Sequence, residues 1–290
     1  MKDLIKNEVL SKYNWFNLGG PAKKFFKVKS ISDLKTFLKG NTSKNNKIHI
    51  LGAGSNTLFR DGGFEGIVIK LGSNFSYTKL KKENVIEVGA ATLDRKLSDF
   101  ASENSISGFE FLSCIPGSIG GSIIMNSGCY GEDISKIFLS LDAVNLNGEI
   151  ETYNREQINF FYRGNDLNKN LIIIGATFKG ELMDKKKILK KKDILINKKK
   201  ESQPTRVKTC GSTFKNPTSG KKAWELIKLS NCSNLKVGGA SISEKHNNFF
   251  LNNGDANASD IEKLINLVKE KVFKKTGIEL ELELKIVGKK

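Results

Sequence analysis

Residues that bind metals or form disulfides are scarce in this chain. Its 290 residues include two histidines and four cysteines, which are His49, His246, Cys114, Cys129, Cys210 and Cys232. No two cysteines stand in the CxxC spacing of structural zinc sites, so the sequence predicts no metal site. The cysteines are expected to be free and reduced, as they are in most intracellular proteins.

Long apolar stretches are absent as well. No uninterrupted apolar run approaches the roughly 20 residues that a membrane-spanning helix needs. The first residues, Met1–Glu8, lack the apolar core of a secretory signal peptide. We therefore expect a cytoplasmic protein without a membrane partner. At roughly 100–200 residues per domain, a chain of 290 residues is expected to form two or three domains.

Acidic residues are outnumbered by basic ones, 31 against 48, which gives a net charge of +17. Such an excess makes a nucleic acid an alternative partner. The densest basic cluster, Lys185–Lys200, lacks the interleaved aromatic residues of a base-stacking surface, and Ile188, Leu189, Leu195 and Ile196 recur in it at helical spacing. The pattern favours a helix with a lysine-rich solvent face and no nucleic-acid partner. The positive charge would still attract anionic substrates such as nucleotides.

Glycine, by contrast, is plentiful, with 27 residues. Five glycines lie in Cys114–Gly131, an apolar segment without a charged residue. Glycine lets the backbone approach another group closely, and Pro116-Gly117-Ser118 is typical of a helix start. A large, flat, partly anionic ligand such as a dinucleotide fits this chemistry. The alternative is a tight crossing of two buried elements.

A second glycine-containing loop, Gly52–Asn56, follows the apolar run Ile48–Leu51. A Rossmann fingerprint needs a third glycine and a helix directly afterwards, whereas here Gly66–Leu71 predicts another strand. The loop therefore lies between strands. It can still present backbone N–H groups to a pyrophosphate, and the alternative is a simple turn.

The predicted elements are typical of an α+β fold, because strands outnumber helices and helices interrupt them irregularly. The clearest pair of strands is Leu141–Leu146 with Glu149–Tyr153, which flank the hairpin signal Asn147-Gly148. Further strands are predicted at Lys23–Lys29, Val85–Val88 and Leu171–Phe178.

Helices are predicted where a capping residue precedes a periodic apolar pattern. Ser32 and Thr92 are candidate caps for two helices in the first half of the chain. Ser259 and Glu262 match a capping box ahead of a long amphipathic helix, and Ala223–Leu229 predicts a shorter one.

Eight short motifs follow one another along the chain. They are Asn17–Ala22, Gly52–Asn56, Ile115–Gly121, Met125–Gly131, Tyr162-Arg163, Gly211–Pro217, Lys236–Ala240 and Leu280–Leu284. Each motif alone is weak, but their order and spacing over nearly the whole chain are specific. Together they resemble the UDP-N-acetylenolpyruvoylglucosamine reductase (MurB) family of bacterial cell-wall synthesis.

The resemblance implies a fold and a reaction. Residues 1–195 would form a two-lobed FAD-binding domain of the PCMH type, with lobes at about 1–70 and 71–195. Residues 196–290 would form a smaller α+β substrate-binding domain whose last strand returns to the active site. In this family NADPH reduces FAD, and a hydride then passes to the enolpyruvyl group of a UDP-sugar, which yields UDP-N-acetylmuramate.

The resemblance also implies which residues hold FAD, and that they hold it without a covalent bond. The first group is Gly52, Ala53, Gly54, Ser55 and Asn56. The second group is Pro116, Gly117, Ser118, Gly120, Gly121, Asn126 and Gly128. The alternative is another PCMH-type flavoenzyme that oxidises a small alcohol or sugar. Such oxidases often tether flavin through a histidine, and neither His49 nor His246 matches that position.

Three residues are implied as catalytic by their motif positions. Hydride addition beside a carboxylate builds negative charge there, which the planar guanidinium of Arg163 would stabilise. The substrate carbon must then take a proton, and Ser212 is implied as its donor. Glu283 is implied to polarise the substrate from the charged side of the alternating segment Ile278–Ile286. Without the motifs, these residues would be read as a surface ion pair, a turn former and a solvated strand face.

Lys200, Lys215, Asn216 and Lys236 match family positions that bind the substrate or its diphosphate. The partners implied are therefore the UDP-sugar and NADPH, and a monomer is expected. No tyrosine follows Tyr162, so the chain is similar to the subclass that lacks a tyrosine-bearing loop over the substrate.

Three positions depart from the family pattern. Cys114 stands where glycine is common, Phe16 where threonine is common, and Lys285 where arginine is common. The first two belong to the flavin domain, so they concern its contacts with the cofactor.

Overall fold

A computed structural model describes residues 4–41, 47–218 and 220–290. Within these residues, short strands alternate irregularly with helices. The strands are β1 (Leu4–Val9), β2 (Pro21–Val28), β3 (Ile48–Ile50), β4 (Thr57–Phe59), β5 (Phe64–Leu71), β6 (Thr78–Lys82), β7 (Val85–Gly89), β8 (Ile106–Ser107), β9 (Gly128–Cys129), β10 (Glu132–Asp133), β11 (Phe138–Val144), β12 (Ile150–Asn154), β13 (Phe160–Phe161), β14 (Gly164–Asn165), β15 (Ile172–Lys179), β16 (Glu181–Leu182), β17 (Lys236–Val237), β18 (Ala240–Ile242), β19 (Phe250–Asn252) and β20 (Lys285–Val287). The helices are α1 (Ile31–Asn41), α2 (Asp94–Glu103), α3 (Ile119–Ile124), α4 (Lys185–Ser202), α5 (Ala223–Leu229) and α6 (Ala258–Thr276). The α+β prediction is confirmed.

The described residues divide into two compact units, each with its own cluster of buried apolar side chains. Unit 1 comprises Leu4, Phe26–Ala53 and Val68–Lys199, and unit 2 comprises Ile5–Phe25, Gly54–Ile67 and Lys200–Lys290. The division is discontinuous in sequence, because the chain passes from one unit to the other within strands β2 and β5. These strands belong to a four-stranded sheet of order β1-β2-β5-β3. The first three residues of the Met1–Glu8 segment lie outside the described residues.

Unit 1 is built on a five-stranded antiparallel sheet of order β12-β11-β15-β7-β6. The predicted hairpin is confirmed, because Val144 at the end of β11 pairs with Ile150 at the start of β12. Helix α3 lies against β7 and β15. Since Ile119 and Ile123 of this helix are fully buried, the sheet fixes the glycine-rich segment that contains it.

Helix α4 is the lysine-rich helix predicted from the sequence. Ile188 and Leu195 are buried as expected, but Leu189 is exposed, so its predicted core position is wrong. Two lysines of this helix have acidic partners instead of only water: Lys191 forms an ion pair with Glu110, and Lys192 forms one with Asp99. Some of the lysines that make the chain basic therefore attach α4 to the rest of unit 1 through ion pairs.

Unit 2 combines a three-stranded antiparallel sheet, β17-β18-β19, with helices α5 and α6. Helix α5 has the bounds predicted for it. The strongly apolar face of α6 is buried, and Gly277 ends the helix in the left-handed conformation at φ +71°. Strands β4 and β20 pair in parallel, Thr57 beside Lys285, so the last segment of the chain returns to the residues that follow Gly52–Asn56.

Three predicted helix caps are wrong, because another polar residue caps α1 and α6 and no side chain caps α2. Ser30 rather than Ser32 accepts the Asp33 N–H at the start of α1. Thr92 donates its hydroxyl hydrogen to the Tyr77 carbonyl instead of capping α2. Asn257 and Asp260 form the capping box of α6 in place of Ser259 and Glu262. The position of a cap depends on the exact residue at which a helix begins, and the spacing of apolar residues does not fix that residue.

The final segment Ile278–Ile286 is regular strand only over β20. Its predicted alternation nevertheless holds in burial, since Leu280 and Leu284 are buried while Glu279 and Glu281 are exposed. No helix in the described ranges combines the length and the apolarity that a membrane crossing requires.

Candidate functional site

The two glycine-rich motifs meet within unit 1. A Cβ atom on Gly52 would lie 2.6 Å from the hydroxyl oxygen of Ser118, closer than real Cβ contacts come. Glycine at position 52 therefore lets the end of β3 approach the start of α3. The sequence-predicted cofactor residues Gly52 and Ser118 are thus neighbours, although 65 residues of chain separate them.

The backbone of the motif Ile115–Gly121 is held by hydrogen bonds to the residues that precede α2. The Ile119 N–H donates to the Thr92 carbonyl and the Gly120 N–H to the Ala90 carbonyl, both at 2.9 Å. Gly117 carries no side chain because a Cβ there would lie 2.4 Å from the Asp94 carboxylate. Packing within the protein therefore requires a glycine at position 117.

Unlike Gly117, Gly121 is not required by packing within the protein, so its surroundings show whether this segment leaves room for FAD. A Cβ at Gly121 would meet one group within 4 Å, the Ser118 hydroxyl at an ordinary 3.6 Å. Internal packing therefore does not require glycine at this position, whereas close approach of a ligand would. The neighbouring Gly52 carbonyl accepts a hydrogen bond from the Lys70 ammonium at 2.5 Å. An open backbone beside a cation fits an anionic dinucleotide.

Lys70 was not among the residues singled out from the sequence. Burial, together with the nearby charge of Lys27, lowers its pKa. A signal was present in the sequence, because Lys70 directly follows the buried residues Ile67, Val68 and Ile69 within β5. A lysine that continues such a strand is expected to have a partner.

Arg163 lies in the two-residue turn between β13 and β14, where Phe161 pairs with Gly164. Its φ of +59° lies in the left-handed region that favours glycine. A non-glycine residue in this region costs about 1–3 kcal/mol, and such strain is often found at functional sites. The Arg163 guanidinium lies 5.0 Å from the ring centroid of Tyr162, whose side chain is half exposed. The turn thus presents a cation beside an aromatic ring.

Two asparagines attach this turn to the end of α3. The Asn126 side chain donates to the Phe161 carbonyl at 3.2 Å, and Asn165 donates to the Ile123 carbonyl at 2.8 Å. Asn126 also accepts the Ser135 N–H through its side-chain oxygen. Gly128 is needed for strand pairing, because a Cβ there would lie 2.2 Å from the Glu132 carbonyl oxygen. The predicted cofactor residues Asn126 and Gly128 therefore have structural roles in unit 1.

Cys114, which departs from the family pattern, lies beside a second thiol. A hydrogen bond from Cys129, with smaller contributions from a hydrogen bond to Ser113 and the positive charge of Lys199, outweighs the effect of burial and lowers the pKa of Cys114 to about 6. The pKa of Cys129 is raised, mainly by that same hydrogen bond. The Lys199 ammonium also donates to the Cys114 carbonyl at 2.8 Å. Cys114 is therefore the more acidic thiol of the pair.

In unit 2, main-chain pairing joins the segments that carry the predicted catalytic residues Ser212 and Glu283. The Glu283 N–H donates to the carbonyl of Thr213 at 2.9 Å, and Phe214 forms a bridge with Leu282. On its other side the Ser212 segment bridges to Phe249. Ser212 is thus adjacent in sequence to the residue that Glu283 contacts, and both side chains are partly exposed.

Asn56, the last residue of the first glycine motif, lies beside this pair. Its side-chain amide donates to the Glu283 carbonyl at 3.1 Å, and its own carbonyl accepts the Lys285 N–H at 3.1 Å. Gly54 adopts φ +71°, and a Cβ there would lie 2.0 Å from the Tyr13 carbonyl oxygen. The motif is therefore divided. Gly52 and Ala53 belong to unit 1, whereas Gly54, Ser55 and Asn56 belong to unit 2.

The predicted substrate residues are spread over unit 2. Lys215 lies next to the Ser212 segment and forms an ion pair with Glu281 at 2.5 Å. Asn216 accepts the Ala223 N–H that begins α5. Lys236 is exposed on β17, and Lys200 accepts a hydrogen bond from Lys245 through its carbonyl. The Lys215 N–H also donates to the Glu281 carbonyl at 2.8 Å, so this residue belongs to the paired segments that carry Ser212 and Glu283.

The side chains of both histidines are partly buried. Burial lowers the pKa of His49 to about 4 and also lowers the pKa of His246. The His246 ring packs edge-on against Phe249 with centroids 4.7 Å apart, and its Nδ1 accepts the Asn248 N–H. These contacts agree with a structural role for His246.

Comparison with known proteins identifies both parts of the chain. Residues 22–154 match the family model of an FAD binding domain, and residues 203–287 match the model of the UDP-N-acetylenolpyruvoylglucosamine reductase C-terminal domain. A UDP-N-acetylenolpyruvoylglucosamine reductase from Pelagibacter ubique is 49% identical over 96% of this chain and 92% of its own length. The enzyme of the same name from Rickettsia prowazekii is 45% identical over 99% of this chain and 98% of its own.

A solved structure agrees with these relatives. The crystal structure of UDP-N-acetylenolpyruvylglucosamine reductase from Thermus caldophilus is 31% identical, covers 98% of both chains and superposes with a TM-score of 0.85. The fold predicted from the resemblance is therefore confirmed. The chain belongs to the UDP-N-acetylenolpyruvoylglucosamine reductase family, and it is an FAD-dependent oxidoreductase of peptidoglycan precursor synthesis.

Proposed function

We propose that Arg163, Ser212 and Glu283 carry out the reduction of the enolpyruvyl group of UDP-N-acetylglucosamine enolpyruvate to UDP-N-acetylmuramate. The observation that carries this assignment is the hydrogen bond between Glu283 and Thr213, which makes two motif residues neighbours in unit 2. When bound, FAD reduced by NADPH would supply the hydride. The residues of the chain supply charge stabilisation and a proton.

Each proposed residue answers one chemical need. Hydride addition to the enol ether builds negative charge on the adjacent carboxylate, and the guanidinium of Arg163 can stabilise that charge with two parallel hydrogen bonds. The substrate carbon then takes a proton, which the Ser212 hydroxyl donates. Glu283 polarises the substrate beside Ser212. General acid catalysis of this kind contributes roughly 10²–10⁴-fold to a rate.

We further propose that FAD is bound without a covalent bond by Gly52–Asn56, by Pro116, Gly117, Ser118, Gly120 and Gly121, and by Lys70. Asn126 and Gly128 are also proposed to bind FAD, in addition to the hydrogen bonds and the strand pairing that they provide in unit 1. Substrate is bound by Lys200, Lys215, Asn216 and Lys236. We propose residues 1–195 as the FAD-binding domain and residues 196–290 as the substrate-binding domain, although Ile5–Phe25 and Gly54–Ile67 belong to the same compact unit as the C-terminal residues. A cytoplasmic monomer remains the prediction.

Turnover and absorbance test the proposal together. The purified full-length protein should be yellow and should oxidise NADPH when the enolpyruvyl UDP-sugar is added. The matched control is UDP-N-acetylglucosamine, which lacks the enolpyruvyl group and should not support oxidation. Acid precipitation should release all of the yellow colour into the supernatant. A protein that oxidises NADPH equally with both sugars would contradict the proposed reaction, and colour retained in the pellet would contradict non-covalent binding.

A further inference from the structure

Asp94 is a fully buried carboxyl group at the start of α2, with 0% of its surface exposed. One carboxylate oxygen accepts a hydrogen bond from the Ser122 hydroxyl of α3 at 2.7 Å. The other oxygen is buried and has no hydrogen-bond partner among the described residues. An ionised carboxylate left in this state would be costly, because a buried charge needs a full set of partners.

The carboxyl group lies directly behind Gly117 of the segment that we assign to FAD. A Cβ at Gly117 would lie 2.4 Å from the carboxylate oxygen that also meets Ser122. The Asp94 N–H donates to the Gly117 carbonyl at 3.2 Å. Asp94 therefore contacts both Gly117 and Ser122, and it fixes the two ends of Gly117–Ser122 relative to each other.

The surroundings of Asp94 favour its neutral form. Burial raises its pKa to about 7, although hydrogen bonds from Ser122 and Gly117 act in the opposite direction. Neither Cys114–Ser118 nor α3 contains a charged residue. On α2 itself, Arg95 is directed to Asp99, with 3.8 Å between the charged atoms. Lys96 of α2 is exposed. Of the charged residues on the elements packed against α2, Glu110 bonds to Ser107 and Lys191, and Lys192 of α4 pairs with Asp99. The cations of these elements are therefore exposed or directed to other carboxylates, and none of them is paired with Asp94.

We propose that Asp94 is a positioning residue for FAD and that it acts as a neutral carboxylic acid, so that FAD binding above neutral pH is coupled to the uptake of one proton. The inference rests on the proposed cofactor segment. FAD carries negative charge on its diphosphate, so an ionised carboxylate directly behind the same segment would repel it. Binding should therefore draw Asp94 to its protonated form, and affinity should fall where that proton must be taken from water.

The dissociation constant of FAD should be measured from pH 6 to pH 9 by flavin fluorescence with full-length apoprotein. For the wild type, the constant should rise above neutral pH and approach a tenfold increase per unit of pH, the limit for one proton. Asp94→Asn is neutral at every pH, so its constant should stay flat and equal the wild-type value at pH 6. Glu103→Gln, an exposed position on the same helix, is the matched control and should follow the wild type.

Ser122→Ala provides a second, independent variant. Loss of a hydroxyl that stabilises the carboxylate should move the rise in the dissociation constant to higher pH. Calorimetry in two buffers of different ionisation enthalpy should show uptake of one proton at pH 8 by the wild type and none by Asp94→Asn. A flat wild-type profile, or the same slope in Asp94→Asn, would overturn the role of Asp94 alone. Absence of FAD binding by the wild type at every pH would instead overturn the cofactor segment and this inference with it.

Discussion

The turn that carries Arg163 and the paired segments that carry Ser212 and Glu283 position their side chains by opposite means. The Arg163 turn is local, since two adjacent strands enclose it and its central residue has a positive φ. Ser212 and Glu283 instead belong to segments that are distant in sequence and that meet through main-chain hydrogen bonds. The position of the Arg163 side chain therefore depends on which residue occupies the turn. The positions of Ser212 and Glu283 depend on backbone pairing, which most side chains at these positions would allow.

This difference predicts how each region should respond to substitution. At position 163, removal of the side chain changes both the chemistry and the strain of the turn, because glycine accepts a positive φ at no cost. At positions 212 and 283, the backbone bonds survive loss of the side chain, so a substitution there reports on chemistry alone. The predictions below test this contrast.

Ser212→Ala is expected to have the largest effect. NADPH reduces the flavin in one half-reaction, and the enolpyruvyl sugar reoxidises it in the other. Only the second half-reaction needs a proton on carbon, so it should slow by about 10²–10⁴-fold while reduction by NADPH stays near the wild-type rate. Stopped-flow absorbance separates the two steps.

The control for this experiment is the flavin content, which should equal that of the wild type because the Thr213–Glu283 and Ser212–Phe249 pairings involve the main chain. Equal slowing of both half-reactions would mean that Ser212 positions a group used in each of them. No slowing in either would remove Ser212 from the mechanism and make Cys210 or Lys215 the next residue to test.

Arg163 should give the second-largest effect, and two variants separate its charge from its strain. Arg163→Gly should lower the rate of reoxidation by roughly 10²–10³-fold, because the developing carboxylate charge loses its donor. The same variant should not be less stable, since glycine relieves the left-handed strain. Arg163→Lys keeps the charge without the planar fork and should fall between Arg163→Gly and the wild type.

Single-turnover rates and thermal melting are the measurements for both Arg163 variants. Loss of flavin from purified Arg163→Gly would place the residue in the cofactor site and contradict the proposal. A rate for Arg163→Lys as low as that for Arg163→Gly would show that geometry rather than charge dominates.

Glu283→Gln is expected to have a smaller effect, a slowing of reoxidation by about 10-fold to 10²-fold. The amide is nearly isosteric and the Glu283 N–H still bonds to Thr213, so fold and flavin content should not change. Glu279→Gln is the matched control, because Glu279 belongs to the same segment but pairs with Lys269 at the surface. Similar rates for the two variants would remove Glu283 from the catalytic group.

The contrast also explains how much could be foreseen from the sequence. Features set by neighbours in the chain were predicted well. Helix α5 has the predicted bounds, the Asn147-Gly148 signal marks the β11–β12 hairpin, and Gly277 ends α6. These depend on local apolar period and turn chemistry.

Features set by distant residues were not predicted. Lys70 beside Gly52, and Asp94 behind Gly117, depend on which elements the fold places together. The caps of α1 and α6 were misplaced by two residues because several polar residues precede each helix, and α2 begins without a side-chain cap. The resemblance to a family indicated candidate residues, but it did not indicate which backbone bonds hold them.

Asn56→Ala is expected to give the smallest effect and tests whether the paired segments need a side-chain bond as well. It removes the hydrogen bond from Asn56 to the Glu283 carbonyl. One such bond contributes about 0.5–1.5 kcal/mol to stability, so the melting temperature should fall by about 2–4 °C. Asn84→Ala is the matched control, because Asn84 donates a comparable bond to the Gly180 carbonyl in unit 1. The two variants should lose similar stability, but reoxidation by substrate should slow several-fold in Asn56→Ala alone, since the Asn56 bond reaches the segment that carries Glu283 and the Asn84 bond does not. Equal reoxidation rates would show that main-chain pairing by itself positions Ser212 and Glu283, and a melting loss much larger in Asn56→Ala would show that the loop between β3 and β4 depends on this bond for its fold.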